Sequence, residues 1–187
     1  MSEVDRAKWD ARYAREGASP REPSPFVTSL EDRLPRQGRA LDLAGGTGRH
    51  ALWLSRRGLD TTVADISPVA LALAGARARS EGLLLRTLAI DLEEERVPEG
   101  PWGLILCVDF LWRPLFDAIP RALAPGGLLV VAHPTVVNLE RHERPSRSYL
   151  LLEGELPRLI PDLAILHHEE AWTPEGRHEA RLLARRR

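Results

Sequence analysis

The period of apolar and polar positions changes repeatedly along this chain, and each change marks an element. Across 4–15 the spacing is helical, with Trp9 and Tyr13 four residues apart on one face. The stretch 17–25 is rich in Pro, Gly and Ser and predicts an irregular connector; 26–33 predicts a short helix. From Gly38 onward, strand and helix alternate. The apolar run 40–44 predicts a buried strand, followed by a glycine-rich turn and a helix over 50–57 that stops at Gly58, suited to a left-handed cap. A second strand is predicted over 61–65, and Ser67-Pro68 then sets an N-cap residue before a proline, opening another helix. Apolar strands follow at 83–90, 103–108 and 128–132. A helix over 114–123 lies between the last two, closed by Pro125-Gly126-Gly127. The alternation then ends, and 163–168 and 179–184 predict a terminal pair of strands with no long helix between them. This order predicts an α/β fold, a doubly wound and largely parallel sheet with helices on both faces. No internal repeat is visible, so one domain is expected over 1–187, a helical N-terminal cap (1–37) on a core (38–187).

Composition narrows the partners. A length of 187 residues suits one core, and 43% hydrophobic content is that of a globular chain. The longest apolar stretch, 127–132, is far too short to span a bilayer. Met1-Ser2-Glu3-Val4-Asp5 lacks the basic-then-apolar order of a secretory signal, so a cytoplasmic location is expected. The single cysteine, Cys107, excludes an internal disulfide and a multi-cysteine zinc site. Twenty-six basic residues nearly cancel 27 acidic ones, leaving no global field to draw nucleic acid or an acidic membrane. Arg185-Arg186-Arg187 reads as a short exposed tail. Lys8 is the only lysine, and Gln37 and Asn138 are the only side-chain amides, a thermophile-like balance. The expected partner is a small molecule, bound by a monomer or a homodimer.

Ligands of doubly wound sheets bind beyond the carboxyl ends of the strands, where the strand order reverses. The first strand runs into Ala44, Gly45, Gly46 and Gly48, small residues that let a ligand approach the backbone. Gly46, Gly48 and Ala51 alone also satisfy the G-x-G-x-x-A pattern of an NAD(P)-dependent oxidoreductase. Asp42 separates the two readings. A dinucleotide would bring a pyrophosphate that this carboxylate repels, whereas S-adenosylmethionine brings an ammonium and a sulfonium that it attracts. Asp42 would act directly or by orienting the loop; a turn-capping role is the plainer alternative. Asp65 ends the second strand at the spacing of a ribose-binding acid. Asp91 ends the third, where it would accept from the adenine amino group while Leu92 and Ile66 cover the ring faces. Each aspartate alone is an ordinary turn residue; three at successive strand ends form a constellation.

With these residues in view, the chain resembles the class I S-adenosylmethionine-dependent methyltransferases, and more narrowly the tellurite-resistance-type and thiopurine-type groups. Trp9-Asp10-Ala11-Arg12-Tyr13 is similar to their N-terminal W-x-x-R-Y segment. The run from Leu41 through Gly48 to Leu54 resembles their glycine motif, and Asp65-Ile66-Ser67-Pro68 their ribose motif. Leu123-Ala124-Pro125-Gly126-Gly127 resembles the turn before the fifth strand, and Asp109 to Leu115 follows the pattern after the fourth. Ala44 replaces the usual first glycine, Gly45 a frequent cysteine, and His133-Pro134-Thr135 a frequent Glu-Thr-Phe run. The resemblance implies a Rossmann-like sheet of seven strands with the last antiparallel. It also implies S-adenosyl-L-methionine as cofactor, S-adenosyl-L-homocysteine as product, and a small acceptor such as a thiol or chalcogen oxyanion.

Methyl transfer from a sulfonium is an in-line displacement governed by alignment in a water-poor pocket. A thiolate or soft oxyanion needs no base; a hydroxyl or amine acceptor needs one within reach. His133, ending the fifth strand, is the candidate base, with a plain loop histidine as the alternative. Asp109 is a candidate positioning acid, and Arg49 a partner for the methionine carboxylate. Cys107 and Val108 end the fourth strand among the cofactor-lining positions, the thiol itself being inert core. Trp9 and Tyr13 form either an aromatic lid, with Tyr13 at the chemistry, or a packing face. Arg113, Arg144 and Tyr149 are candidates to hold an anionic acceptor. His167-His168 with Glu169-Glu170 reads as strand-end residues rather than a metal site, because strand neighbours point to opposite faces. A methyltransferase-like protein that binds the cofactor without turning it over is the remaining alternative.

Overall fold

A computed structural model of the chain describes residues 3–17 and 22–187. Its elements in chain order are α1 (Glu3–Glu16), α2 (Pro25–Ser29), β1 (Arg39–Leu43), α3 (Arg49–Arg56), β2 (Asp60–Asp65) and α4 (Pro68–Ser80). They continue with β3 (Leu85–Ala89), β4 (Trp102–Val108), α5 (Leu115–Ala122), β5 (Leu123–Pro134), β6 (Leu163–Trp172) and β7 (His178–Arg186). The seven strands form one sheet in the order β3-β2-β1-β4-β5-β7-β6. All pairs are parallel except those of β7, which runs antiparallel to both β5 and β6. The doubly wound, seven-stranded arrangement is therefore present, and its order reverses between β1 and β4. Among the described residues, no helix is long and apolar enough to cross a membrane.

The central strands are apolar on both faces because both are covered. Ala40, Leu104, Leu106, Val130 and Leu183 pack against Phe26 and Val27 of α2 and Leu54 of α3. Val63 packs with Ala51, Leu71 and Ala74 of α3 and α4 on that same side. The alternate residues Leu41, Leu43, Ile105, Cys107, Leu129, Val131 and Leu182 meet Leu115, Phe116 and Ile119 of α5, with Leu156 and Ile160. Helices do lie on both faces, but unequally: among the described residues the second layer holds α5, and 3-10 turns at Val136–Glu140, Arg147–Tyr149 and Leu156–Leu159 supply much of the rest.

Local chemistry sets the boundaries. Ser67 Oγ accepts from Ala70 N at 3.1 Å with Pro68 opening α4, and Ser24 caps α2 in the same way. Gly58 takes φ +95° just beyond α3. Asn138, one of the two side-chain amides, is buried and ties the turn after β5 to the start of β7. Its Nδ2 donates to the carbonyls of Thr135 (3.0 Å) and His178, while its Oδ1 accepts from His178 N at 3.1 Å.

The structure departs from the expected pattern in five places. Arg185 and Arg186, read as part of an exposed tail, end β7 and pair with Leu128 and Leu163. The segment 26–33 is not one helix: α2 stops at Ser29 and a 3-10 turn covers Glu31–Arg33. The strand expected over 83–90 is only Leu85–Ala89, and it is largely exposed, because it forms the sheet edge; Leu84 is 88% exposed. The strand expected to begin at 128 begins at Leu123, pairs with Trp102, and bulges at the Pro-Gly-Gly turn before Leu128 meets Leu104. His167 and His168 sit inside β6 rather than at its end, opposite Leu183 and Leu182, so they face different layers. Of the expected connector 17–25, residues 18–21 lie outside the described residues.

Candidate functional site

The crevice at the β1/β4 reversal is framed by the turn after β1. Ala44, Gly46 and Gly48 take φ of +50°, +55° and +78°. The turn is braced from beneath by two buried carboxylates. Asp42, 1% exposed, accepts from Ala51 N at 3.1 Å in the first turn of α3. Asp65 accepts from Gly46 N at 2.8 Å through Oδ2 and from Ser67 N at 2.9 Å through Oδ1. Asp42 thus ties the end of β1 to the start of α3 behind the turn. Burial pushes its carboxyl up to about 7, against the opposing Ala51 N–H and Arg49 charge, with Asp65 adding to the rise. Burial also raises Asp65, while its backbone donors pull the other way. Gly45 admits no side chain, since a Cβ there would lie 2.6 Å from Asp42 Oδ2 and 2.7 Å from Val63 Cγ2. Ala44 is the one non-glycine held left-handed in this turn, a conformation that costs an L-residue roughly 1–2 kcal/mol. Ala44→Gly is therefore expected to stabilise the chain by roughly 0.5–1 kcal/mol in urea denaturation. A loss of stability would show that the strain is absent.

Helix α1 lies over this turn although none of its residues is fully buried. Asp10 Oδ1 accepts from Ser67 Oγ and from Val69 N at 3.4 Å, docking α1 on the N-terminus of α4. Tyr13 stacks on Trp9 with centroids 5.8 Å apart, and its hydroxyl stands where a Cβ on Gly46 would come within 2.6 Å. At the other end of α1, Glu3 and Arg6 line a cavity of about 300 Å³ with Ile66, Pro68, Ala89, Ile90, Asp91, Glu94 and Glu95. Ile66 and Asp91 thus come together. Asp91 also closes its own turn, Oδ1 accepting from Glu93 N at 3.0 Å. Leu92 does not cover this cavity: it is 2% exposed and packs inward under the sheet.

Across the crevice, Asp109 follows β4 at φ +60°. Arg49 Nη2 reaches Asp109 Oδ2 at 2.9 Å, bridging the reversal point, and Arg177 from the β6–β7 hairpin grips Oδ1. Burial alone would raise the Asp109 carboxyl; the Arg177 bond and charge, with Arg49, outweigh it and hold it below the usual range. Arg177 was not among the sequence candidates, and nothing local marks it. His50 was missed as well. It is 3% exposed, accepts from Ser24 N at 3.2 Å, and fastens the segment entering α2 to α3; burial, then the Arg49 charge, drive its pKa down to about 3.

His133 is 6% exposed, with Nε2 2.8 Å from the Tyr149 carbonyl. Arg113 is not available to an acceptor, because Glu155 holds it in a two-pronged pair (2.5 and 2.9 Å) and Leu150 O takes a third bond at 3.1 Å. Tyr149 contributes its carbonyl inward while its side chain is exposed, and Arg144 lies exposed on the same strap. Cys107 is fully buried with Sγ 3.5 Å from Phe110 O, and Val108 is 7% exposed; both are core, and burial pushes the thiol up to about 12.

Residues 40–127 match a family described as a methyltransferase domain. The chain is 39% identical over 101 residues to a demethylmenaquinone methyltransferase of Thermus thermophilus, covering 50% of this chain and 46% of that one. It is 32% identical over 168 residues to a glycine/sarcosine N-methyltransferase of Halorhodospira halochloris, covering 84% of this chain and 60% of that one. It therefore spans about half the length of these curated relatives. Among solved structures, TehB from Haemophilus influenzae superposes with a TM-score of 0.75 at 20% identity, covering 96% of this chain and 67% of that one. A TehB-like S-adenosylmethionine-dependent methyltransferase from Corynebacterium glutamicum gives 0.71 at 18%, with both chains fully covered. These two likenesses show the fold.

Proposed function

We propose that this chain, whose residues 40–127 match a methyltransferase domain, transfers a methyl group from S-adenosylmethionine to a small-molecule acceptor. The observation that carries the reading is Asp42. It occupies an amide in the first turn of α3, the place where a dinucleotide's pyrophosphate would sit, and sets beneath the turn a carboxyl that a cationic ligand holds ionised. A ligand bringing ammonium and sulfonium groups fits that charge.

The residues present suit the cofactor along its length. Asp65, already fixing the turn, has lone pairs left for ribose hydroxyls. Ile66 and Asp91 flank the cavity for the adenine. Gly46 leaves the backbone open beneath Tyr13, and Arg49 turns from Asp109 to the methionine carboxylate. When bound, the cofactor supplies an electrophilic methyl on a sulfonium. Trp9 and Tyr13 on α1 then exclude water and present aromatic faces to that cation. Asp109 positions the methionine end.

The names of the relatives, with glycine, sarcosine and demethylmenaquinone in them, support a small organic acceptor. The thiol or chalcogen oxyanion of the resembled groups is a narrower choice among small-molecule acceptors. A cytoplasmic setting and a monomeric or homodimeric state go with this reading.

Thermal melting provides the test. S-adenosylmethionine and S-adenosylhomocysteine at about 1,000 times Kd should stabilise the chain by about 4 kcal/mol and raise Tm, with no shift from NAD or NADP. A shift with the dinucleotides and none with the adenosyl ligands would sink the proposal.

A further inference from the structure

The ring of His133 has one nitrogen committed and one left over. Nε2 lies 2.8 Å from the carbonyl oxygen of Tyr149, and a carbonyl only accepts, so Nε2 carries the proton. In the neutral ring Nδ1 then holds a bare lone pair. That atom is buried, and it has no hydrogen-bond partner among the described residues. A buried, unmatched acceptor is unfavourable.

Its position gives the lone pair a use. Val108 and Ala132 are register partners at the ends of β4 and β5, so Asp109 and His133 emerge side by side at the strand ends. By that register His133 neighbours Asp109, which Arg49 joins to the start of α3 behind the turn after β1. The ring's outer wall is the strap carrying Tyr149 and Leu150, which Arg113 and Glu155 hold in place.

We propose that His133 Nδ1 takes the proton of the methyl acceptor, and that the acceptor is therefore a nucleophile bearing its own hydrogen, an amine, hydroxyl or thiol. A chalcogen oxyanion that attacks through an unprotonated atom does not belong to this class. The inference rests on the methyltransferase reading and narrows its substrate. In the step, the acceptor atom forms its bond to the methyl carbon as the carbon–sulfur bond breaks, its electrons staying on sulfur as a neutral thioether. The acceptor's proton passes to Nδ1. The positive charge of the sulfonium thus ends on the imidazolium, beside the ionised Asp109.

The charged groups facing the ring act in opposite senses. Burial keeps it neutral and lowers its pKa; the Tyr149 carbonyl and Asp109 favour the proton, while Arg177 and Arg113 oppose it. The base is thus free at neutral pH, and kcat should rise with pH through one ionisation below the ordinary histidine range, then level.

The test uses the full chain with labelled histidine nitrogens, first bound to S-adenosylhomocysteine. The His133 signals, identified by their loss in His133→Gln, should show Nε2–H and an unprotonated Nδ1; a proton on Nδ1 overturns the proposal whatever the activity. Methyl-labelled cofactor is then offered with glycine, catechol, dithiothreitol or sodium tellurite. Transfer is expected to at least one of the first three and not to tellurite. His133→Gln, whose amide can still donate to Tyr149, should lower kcat by about 100-fold or more and abolish the low-pH limb, with cofactor affinity unchanged. Imidazole should restore activity to His133→Ala. Unchanged kcat in His133→Gln, or tellurite methylation by the parent, overturns the assignment. Failure of both adenosyl ligands to bind would instead overturn the underlying reading.

Discussion

Asp65→Ala is expected to abolish measurable cofactor binding and to weaken the ligand-free chain as well. The carboxylate is 6% exposed and serves two backbone donors on opposite sides, Gly46 N in the turn after β1 and Ser67 N at the entry to α4. Removing it strands both N–H groups where water does not reach. Each stranded donor costs about 1–3 kcal/mol, so urea denaturation should show a loss of roughly 2–6 kcal/mol. The turn and α4's N-terminus would then drift apart, with the ribose hydroxyls losing their acceptor. Calorimetry should detect no S-adenosylmethionine binding at concentrations that saturate the parent. Asp65→Asn retains one acceptor oxygen but sets an amide donor against a backbone donor, and should fall between. Affinity within threefold of the parent in Asp65→Ala would remove Asp65 from the site.

The second large effect is a pH dependence written into Asp42. Its carboxyl is raised to about 7 in the fold by burial, against 3.8 for the free group. A raised carboxyl stabilises the folded state where it is protonated, and that contribution disappears as pH rises through the folded pKa. This group contributes about 4 kcal/mol at low pH, lost progressively from the free pKa up to the folded one, so stability should decline by roughly 2–3 kcal/mol between pH 5 and 8. Asp42→Asn, which keeps an oxygen for Ala51 N, should flatten the decline. The cofactor imposes the opposite demand. Its ammonium and sulfonium favour the ionised carboxylate, so binding draws the pKa down and releases a proton. Affinity should rise with pH up to about 7 and then level, and calorimetry in buffers of different ionisation heat should register the released proton. A pH-independent affinity from pH 5 to 8 in the parent would show that Asp42 does not sense the ligand.

Much of this was legible in one sequence, and the reasons differ by residue. Apolar runs at β1, β4 and β5 announce strands covered on both faces, and Ser67-Pro68 announces α4, because these signals are local. Asp42 and Asp65 stand out in the sequence because strand ends are where such sheets bind, yet only the structure shows that an Asp42 oxygen is occupied by Ala51 N. What was hidden is long-range. Arg177 meets Asp109 across 68 positions, and Arg113 is claimed by Glu155 across 42; no spacing rule reports either pairing. Leu92 read as a ring cover by its place after Asp91, but an apolar side chain one residue beyond a strand turns toward whichever layer offers burial. The edge position of β3 was equally hidden, since Arg86 and Thr87 interrupt an otherwise apolar run and no spacing rule reports which strand has a single neighbour. α1 showed its aromatic face but not Asp10, the residue that docks it.

The place of β7 in the sheet has a consequence for how the molecule is made. Ala180, Leu182, Leu183 and Ala184 are all fully buried, and the strand bonds to β5 on one side and β6 on the other. During synthesis, β1 to β5 can associate in parallel as they leave the ribosome, each with its partner already present. β6 emerges with nothing to pair against. It waits until the following strand arrives and slots between it and β5. The last two strands therefore join the sheet in a single late event, and a ribosome that stalls before residue 178 leaves β5 as an open, apolar edge, the kind of surface on which nascent chains associate with one another.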